Sequence, residues 1–306
     1  MKLSNKLNSL LLAPLAIALF AACSTDENLS DGGLSGQTLT FYALNAESED
    51  AAGSRTVFDN TVGEGSTMDK FTAKWDATND KVVVYGGNDY QNCGDFKVSK
   101  LSADGKTATL TGTIPTAVTE EGTPMYAYVS NAKIKKFNGG KHLEVDYSKQ
   151  KGTFEDAMAH TLFWAKTTYT TKGDMQFKFL YKTTYLKLTL DFGDATLKST
   201  ASLLLNGTKI SSVSRINAIN NKTDGTDNSG GTNYIDDTKG VTIEKATITN
   251  GKSVVYVALY PQQVENVKLV ATLADGTKYN FDISKGKKAT LGTGAIYHIT
   301  RTGVKQ

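Results

Sequence analysis

The chain reads as an all-β protein of β-sandwich type, and three features carry that reading. Short runs alternate apolar and polar residues with period two, the mark of a half-buried strand. Asp-Gly, Asn-Gly and Gly-Gly pairs fall between those runs, where tight turns need backbone at positive φ. Outside the N-terminal leader, no window holds a long apolar stripe of period 3.6. With only four prolines in 306 residues, short strands at regular spacing predict sandwiches.

The N-terminus predicts export. Lys2 and Lys6 supply a positive region, Leu10 to Phe20 is an apolar run, and Ala21-Ala22-Cys23 has the small-small-Cys form of a lipoprotein cleavage site. A membrane span needs about 20 predominantly apolar residues, whereas this run stops at Cys23, so residues 1–22 read as a signal peptide. Cys23 then becomes the lipidated N-terminus, carrying diacylglycerol and palmitate, and the mature chain is anchored outside the cytoplasm. Residues 23–36, rich in Ser, Asp, Gly and Asn, read as a flexible tether.

Taking 22 residues from 306 leaves 284, enough for two domains of about 150 residues. The formal charge of +3 falls to about +1 without the two leader lysines, which implies no nucleic-acid partner. Of the two cysteines, Cys23 is used by lipid and Cys93 has no partner, so it reads as a sheltered free thiol.

The first strand is Gln37 to Leu44, with Leu39, Phe41 and Ala43 on one face. A polar stretch around Arg55-Thr56 reads as exposed loop. Phe71, Ala73 and Trp75 alternate, Lys81 to Tyr85 is a β-branched run, and Gly86 to Gly94 reads as a loop. Asp104-Gly105 marks a hairpin between Phe96–Val98 and Ala108–Ile114. Pro124 to Ser130 and a pair of strands around Asn138-Gly139-Gly140 follow. Ala157 to Ala165 fits a short helix or a buried strand equally well, and the domain junction is placed there: 37–165 and 166–306. The second domain opens with Asp174–Tyr181 and Tyr185–Phe192, and Leu203–Leu205 is expected to turn at Asn206-Gly207. Asn220 to Asn233 reads as a mobile loop, and strands resume from Val241, with a second Asp-Gly turn at Asp275-Gly276.

Catalytic and metal motifs are absent. His142, His160 and His298 are far apart, with no i, i+4 pair or nearby ligand. There is no G-x-S-x-G, Walker loop or dinucleotide fingerprint, so no enzyme activity, cofactor or metal is expected. Asp224, Asp227, Asp236 and Asp237 surround a Gly-rich loop and offer oxygens for calcium, although they lack EF-hand order and a solvated loop explains them too. Tyr90 and Asn92 combine an aromatic face with an amide, a mix that suits a sugar and equally an ordinary hairpin tip.

The order of the fragments carries a resemblance. A lipobox, a tether, QTLTFYAL, Ser54-Arg55-Thr56, Trp75 with KVVVYG, GTIP at 112–115, GTFED at 152–156, QFKFLYKTTYLKLTLDF, VVYVALYPQQ and a closing GTGAIYHIT together resemble the fimbrillin family of Bacteroidales surface pili. Ser24-Thr25-Asp26-Glu27 likewise resembles the surface-export tag of lipoproteins from that group. The resemblance implies two transthyretin-like Greek-key β-sandwich domains, residence in the outer membrane as a surface-exposed lipoprotein, and incorporation into a fimbrium once processed. It implies that an arginine-specific or similar surface protease cuts between Arg55 and Thr56, removing the first strand so that another fimbrial subunit replaces it by strand complementation. Only Arg301 to Gln306 follow the last expected strand, which favours a tip or accessory subunit over a main stalk subunit. The alternative is a non-polymerising surface lipoprotein that binds glycan or another host or bacterial surface ligand through its loops.

Overall fold

The computed structural model describes residues 38–45, 68–70, 75–86, 91–113, 120–137, 142–171, 175–217, 234–236 and 239–306. In chain order the elements are β1 (Thr38–Asn45), β2 (Met68–Lys70), β3 (Lys81–Gly86), β4 (Gln91–Leu101), β5 (Thr107–Thr113), β6 (Pro124–Ser130), β7 (Ile134–Phe137), β8 (His142–Asp146), β9 (Lys149–Gln150), the helix α1 (Phe154–Ala159), β10 (Phe163–Thr168) and β11 (Met175–Tyr181). They continue with β12 (Thr184–Asp191), β13 (Ser199–Thr208), β14 (Val213–Asn217), β15 (Tyr234–Asp236), β16 (Val241–Ile248), β17 (Lys252–Leu259), β18 (Gln263–Leu273), β19 (Lys278–Asp282), β20 (Lys288–Thr290), β21 (Ala295–Thr302) and β22 (Val304–Lys305). The fold is all-β.

One sheet closes on itself in the order β1-β11-β10-β6-β3-β4-β5. Alternation fills its interior: Val82 and Val84 on β3, Phe96 on β4, Leu110 on β5, and Phe177 and Phe179 on β11 are all buried. The outer face of β3, β6 and β10 is also buried, through Val83, Tyr85, Tyr126, Tyr128 and Trp164, which share a core with Leu143, Val145 and Ile216 of the sheet β15-β14-β8-β7. Burial on both faces explains why Val82 to Tyr85 is an unbroken apolar run rather than an alternating one.

The second system is a sandwich. Sheet β17-β12-β21-β2 faces sheet β22-β19-β18-β13-β16-β9, with Leu186, Leu188 and Leu190 from the first and Leu203, Leu205 and Leu269 from the second in one core. Phe192 closes one end of it, edge-on to Tyr279 and Phe281 at 5.0 and 5.2 Å.

Lys149 to Gly152 joins the two sheets. β9 pairs in parallel with β16, while the Gln150 side chain reaches the other sheet. Its Oε1 accepts from the Ala258 backbone N–H at 2.8 Å and its Nε2 donates to the Ala258 carbonyl at 2.9 Å. Two residues on, the Tyr256 N–H donates to the Gly152 carbonyl at 2.9 Å. Gly152 has φ +78°, and a Cβ there would lie 2.7 Å from Ile243 Cγ2, so this position requires glycine. Thr153 then caps α1, accepting from the Asp156 N–H, which accounts for the GTFED fragment.

Three expectations resolve differently. Asn206-Gly207 is no turn: β13 runs through it, with a shift of register against β18. Glycine is needed there because a Cβ would come within 2.9 Å of the Val267 Cα, so it marks a close backbone approach at a bulge. The Gly86–Gly94 loop is shorter than expected, since Gln91 to Gly94 belong to β4 behind a register shift at Val84/Tyr85. Ala157 to Ala165 is neither helix nor strand alone but the end of α1 followed by the start of β10.

Where β11 leaves the barrel for β12, Lys182 and Thr183 pass through a buried polar cluster. Thr183 Oγ1 accepts from the Leu162 N–H at 3.0 Å and donates to the His160 carbonyl at 3.3 Å. The His160 ring stacks on Tyr147, whose phenol is pushed up to about 12 by burial. His160 Nδ1 lies 2.8 Å from the Asp156 carbonyl; a carbonyl only accepts, so the proton sits on Nδ1 and Nε2 is a buried acceptor with no partner among the described residues. Burial first, and the charge of Lys133 second, hold the His160 pKa below its usual value against the opposing pull of Asp156 and Asp146.

Two outcomes are expected. Gln150→Ala leaves a buried N–H and C=O of Ala258 unpaired and costs roughly 2–4 kcal/mol, read from the urea midpoint of the full chain. For His160, the unfolded chain takes up its proton at a higher pH than the folded chain does, so stability falls as pH drops below about 6.5. His160→Asn should show a smaller loss between pH 7 and pH 5 than the unsubstituted chain.

Candidate functional site

The strongest candidate is the place of β1. A closed sheet has no edge, and here closure rests on one strand. β1 runs antiparallel to β5 over seven registered pairs, from Thr38 with Thr113 to Leu44 with Thr107. Its other side runs parallel to β11 over five, from Phe41 with Met175 to Asn45 with Phe179. Leu39, Phe41 and Ala43 stand opposite Gly112, Leu110 and Ala108, and Phe41 and Ala43 also stand opposite Met175 and Phe177. Ala108, Leu110, Met175 and Phe177 are interior residues, so the row picked out by period two occupies the register of the barrel core. Gly112 completes the arrangement: a Cβ on it would lie 2.5 Å from the Phe96 ring, so the missing side chain leaves room for that ring.

The next element, β2, belongs elsewhere. It pairs with β21 through Met68–Tyr297, Asp69–Ile296 and Lys70–Ala295, in the first sheet of the sandwich. The segment from 46 to 67, which contains Arg55 and Thr56, therefore links the barrel to the sandwich. Sequence reasoning found β1 by its alternation but had no signal for its parallel partner β11, more than 130 residues away.

Other expected residues are dispersed. Cys23, Arg55, Thr56, Tyr90, Asp224, Asp227 and Asp237 lie outside the described residues. Asn92 is a strand position opposite Tyr85, Cys93 lies beside it on β4, and Asp236 ends β15. His142 is on β8, His160 follows α1 and His298 is on β21, so the fold does not gather them. Among the described residues no group of three or more His, Cys, Asp or Glu could hold a metal ion, and no helix is long and apolar enough to cross a membrane.

Beside Asn92, an aromatic layer lines the outer barrel wall. Tyr85 and Tyr128 stack at 6.2 Å with Lys136 Nζ 5.9 Å from the Tyr85 ring centre, and burial pushes the Tyr128 phenol well up. These rings are buried and act in packing.

No protein-family model and no curated protein matches the chain. Solved structures do. A "putative cell adhesion protein" from Bacteroides ovatus aligns over 89% of this chain and 96% of its own, with TM-score 0.52 and 13% identity. A protein of the same description from Bacteroides uniformis aligns over 81% and 99%, with TM-score 0.49 and 17% identity. A fimbrial assembly protein from Parabacteroides distasonis aligns over 86% and 91%, with TM-score 0.37 and 12% identity. At these identities the likeness is one of fold, and the Bacteroides ovatus structure carries it: the chain has the all-β sandwich fold of that protein.

Proposed function

We propose that the chain is a fimbrillin-like surface lipoprotein: a structural or adhesive subunit of a fimbrium, anchored through Cys23 and completed in trans after proteolysis between Arg55 and Thr56. The observation that supports this most is the place of β1. It is the first described strand, it alone bridges β5 and β11, and the strand after it lies in another sheet. A cut at Arg55 separates β1 from the chain while every later strand keeps its partners except along the two edges that β1 covered.

The energetics favour replacement over a bare gap. Fully burying a Leu or Phe is worth about 1.5–3 kcal/mol, and a whole domain is stable by only about 5–15 kcal/mol. Loss of β1 opens the core at Leu110 and Phe177 and leaves two unpaired strand edges, a template for strand addition. A donor with the polarity of β1 restores an antiparallel ladder to β5 and a parallel one to β11.

The role fits an acceptor, and hence a tip or accessory subunit. β21 lies between β12 and β2 in its own sheet, and its departure to serve another subunit would open the sandwich. In this reading residues 1–22 are the signal peptide and 23–36 the tether, ahead of two β domains displayed at the outer membrane. The partners are other fimbrial subunits, the processing protease and a surface ligand. The fold shared with the Bacteroides ovatus protein, described as acting in cell adhesion, supports the surface role.

The test is N-terminal sequencing with intact mass of the protein taken from the surface of its own cells. A start at Thr56 in heat-sensitive high-mass ladders, lost in Arg55→Ala, is expected. Lipidated Cys23 on every molecule with no ladder would refute processing and leave a monomeric surface lipoprotein. In parallel, a synthetic peptide of residues 37–45 should raise the melting temperature of a chain that begins at Thr56.

A further inference from the structure

We propose that the sandwich carries a second binding site, for an acidic saccharide, in the groove where β22 leaves β21 and crosses β19. This goes beyond strand exchange and needs neither processing nor assembly. The groove has a volume of about 510 Å³, within the range of small-ligand sites.

Its shape follows from one glycine. A Cβ on Gly303 would lie 2.6 Å from the Phe281 ring, so only glycine lets the chain pass so close over β19. That passage brings Thr302 and Val304 to the wall of the groove, with Val304 opposite Asn280 in register. Along the outer face of the same sheet, Val270 stands opposite Asn280 and Lys268 opposite Asp282. The groove therefore has Asn280 at its middle, flanked on one side by Val270 and on the other by Val304, so that a sugar hydrogen-bonded to the amide has an apolar side chain for a C–H edge on either hand. Asn280, Asp282 and Thr302, all of which line the groove, offer an amide, a carboxylate and a hydroxyl for sugar hydroxyls.

The charge of the groove selects an acid. Three cations, Lys268, Lys285 and Arg301, line it against one carboxylate, Asp282. Arg301 is 5% exposed, and its guanidinium is fixed by the carbonyls of Asp282, Ile283 and Thr300 at 2.7 to 3.1 Å. It supplies a fixed positive charge that needs no ordering when a ligand binds. Lys268 and Lys285 are exposed, and among the described residues neither forms an ion pair, although Lys268 and Asp282 are cross-strand neighbours. A plain polyanion would meet Asp282 as a repulsive element, whereas a saccharide with one carboxylate per ring uses Asp282 as a hydroxyl acceptor and the lysines as its counter-ions.

The experiment titrates the full chain with hexagalacturonate by calorimetry, alongside maltohexaose as a neutral sugar and hexaglutamate as an anion without sugar rings. Binding of hexagalacturonate alone is expected. The double substitution Lys268→Glu with Lys285→Glu should weaken it about tenfold or more and flatten its dependence on salt. Asn280→Ala should weaken it while leaving that salt dependence in place. Near-UV circular dichroism matching the unsubstituted chain confirms that each variant is folded. The proposal is overturned if hexagalacturonate does not bind, if maltohexaose binds equally, if hexaglutamate displaces it with equal affinity, or if the folded lysine variant binds as tightly as the unsubstituted chain.

Discussion

The constraint on which this molecule depends is that strand edges must not be left bare. A row of unpaired N–H and C=O groups costs stability when buried and invites foreign pairing when exposed. Several edges here are met by different devices. β1 closes the barrel between β5 and β11, β2 lies along β21, and β22 covers part of β19. Where backbone runs out, side chains take its place. The Gln150 amide pairs with Ala258 as a strand residue would, and the Arg301 guanidinium takes the carbonyls of Asp282, the last residue of β19, and Ile283.

Edge closure is what lets two cores form. The barrel interior is sealed around Phe96, Leu110, Phe177 and Phe179. The second core begins on the outer wall of the same barrel, at Tyr85, Tyr128 and Trp164, and runs on to the sandwich leucines. The barrel therefore shares its wall with a neighbouring core. The polar cluster of Tyr147, His160 and Thr183 sits where the chain crosses between the two systems, and its hydrogen bonds satisfy backbone groups that no sheet reaches.

Much of this was legible in the residues, and the limits have physical causes. Alternation located β11 and β12 because each buries one face deeply, and it located β1 by the same pattern. The Asp-Gly turns were legible because their chemistry is local: Asp104 accepts from the Lys106 N–H and Asp275 from the Thr277 N–H, each beside a glycine at positive φ. Residues 101–106 (LSADGK) and 272–277 (TLADGT) read alike because one turn is used twice. Asn206-Gly207 looks the same on paper, but its glycine answers to the distant Val267 backbone. Pairings such as β1 with β11 or β8 with β14 join segments whose composition says only that each is a strand. The groove at β22 was invisible for the same reason, since Lys268, Asn280 and Val304 come together only through two successive registers.

The geometry of β1 also has a mechanical meaning. A strand that lies lengthwise between β5 and β11, hydrogen-bonded along both sides, is loaded in shear when pulled along its axis. All of its ladder bonds then resist together, where a peeled hairpin would lose them one by one. β11 hands such a load through Lys182 and Thr183 directly to β12, which is itself flanked by β17 and β21. Tension entering at the barrel thus passes into an interior strand of the sandwich.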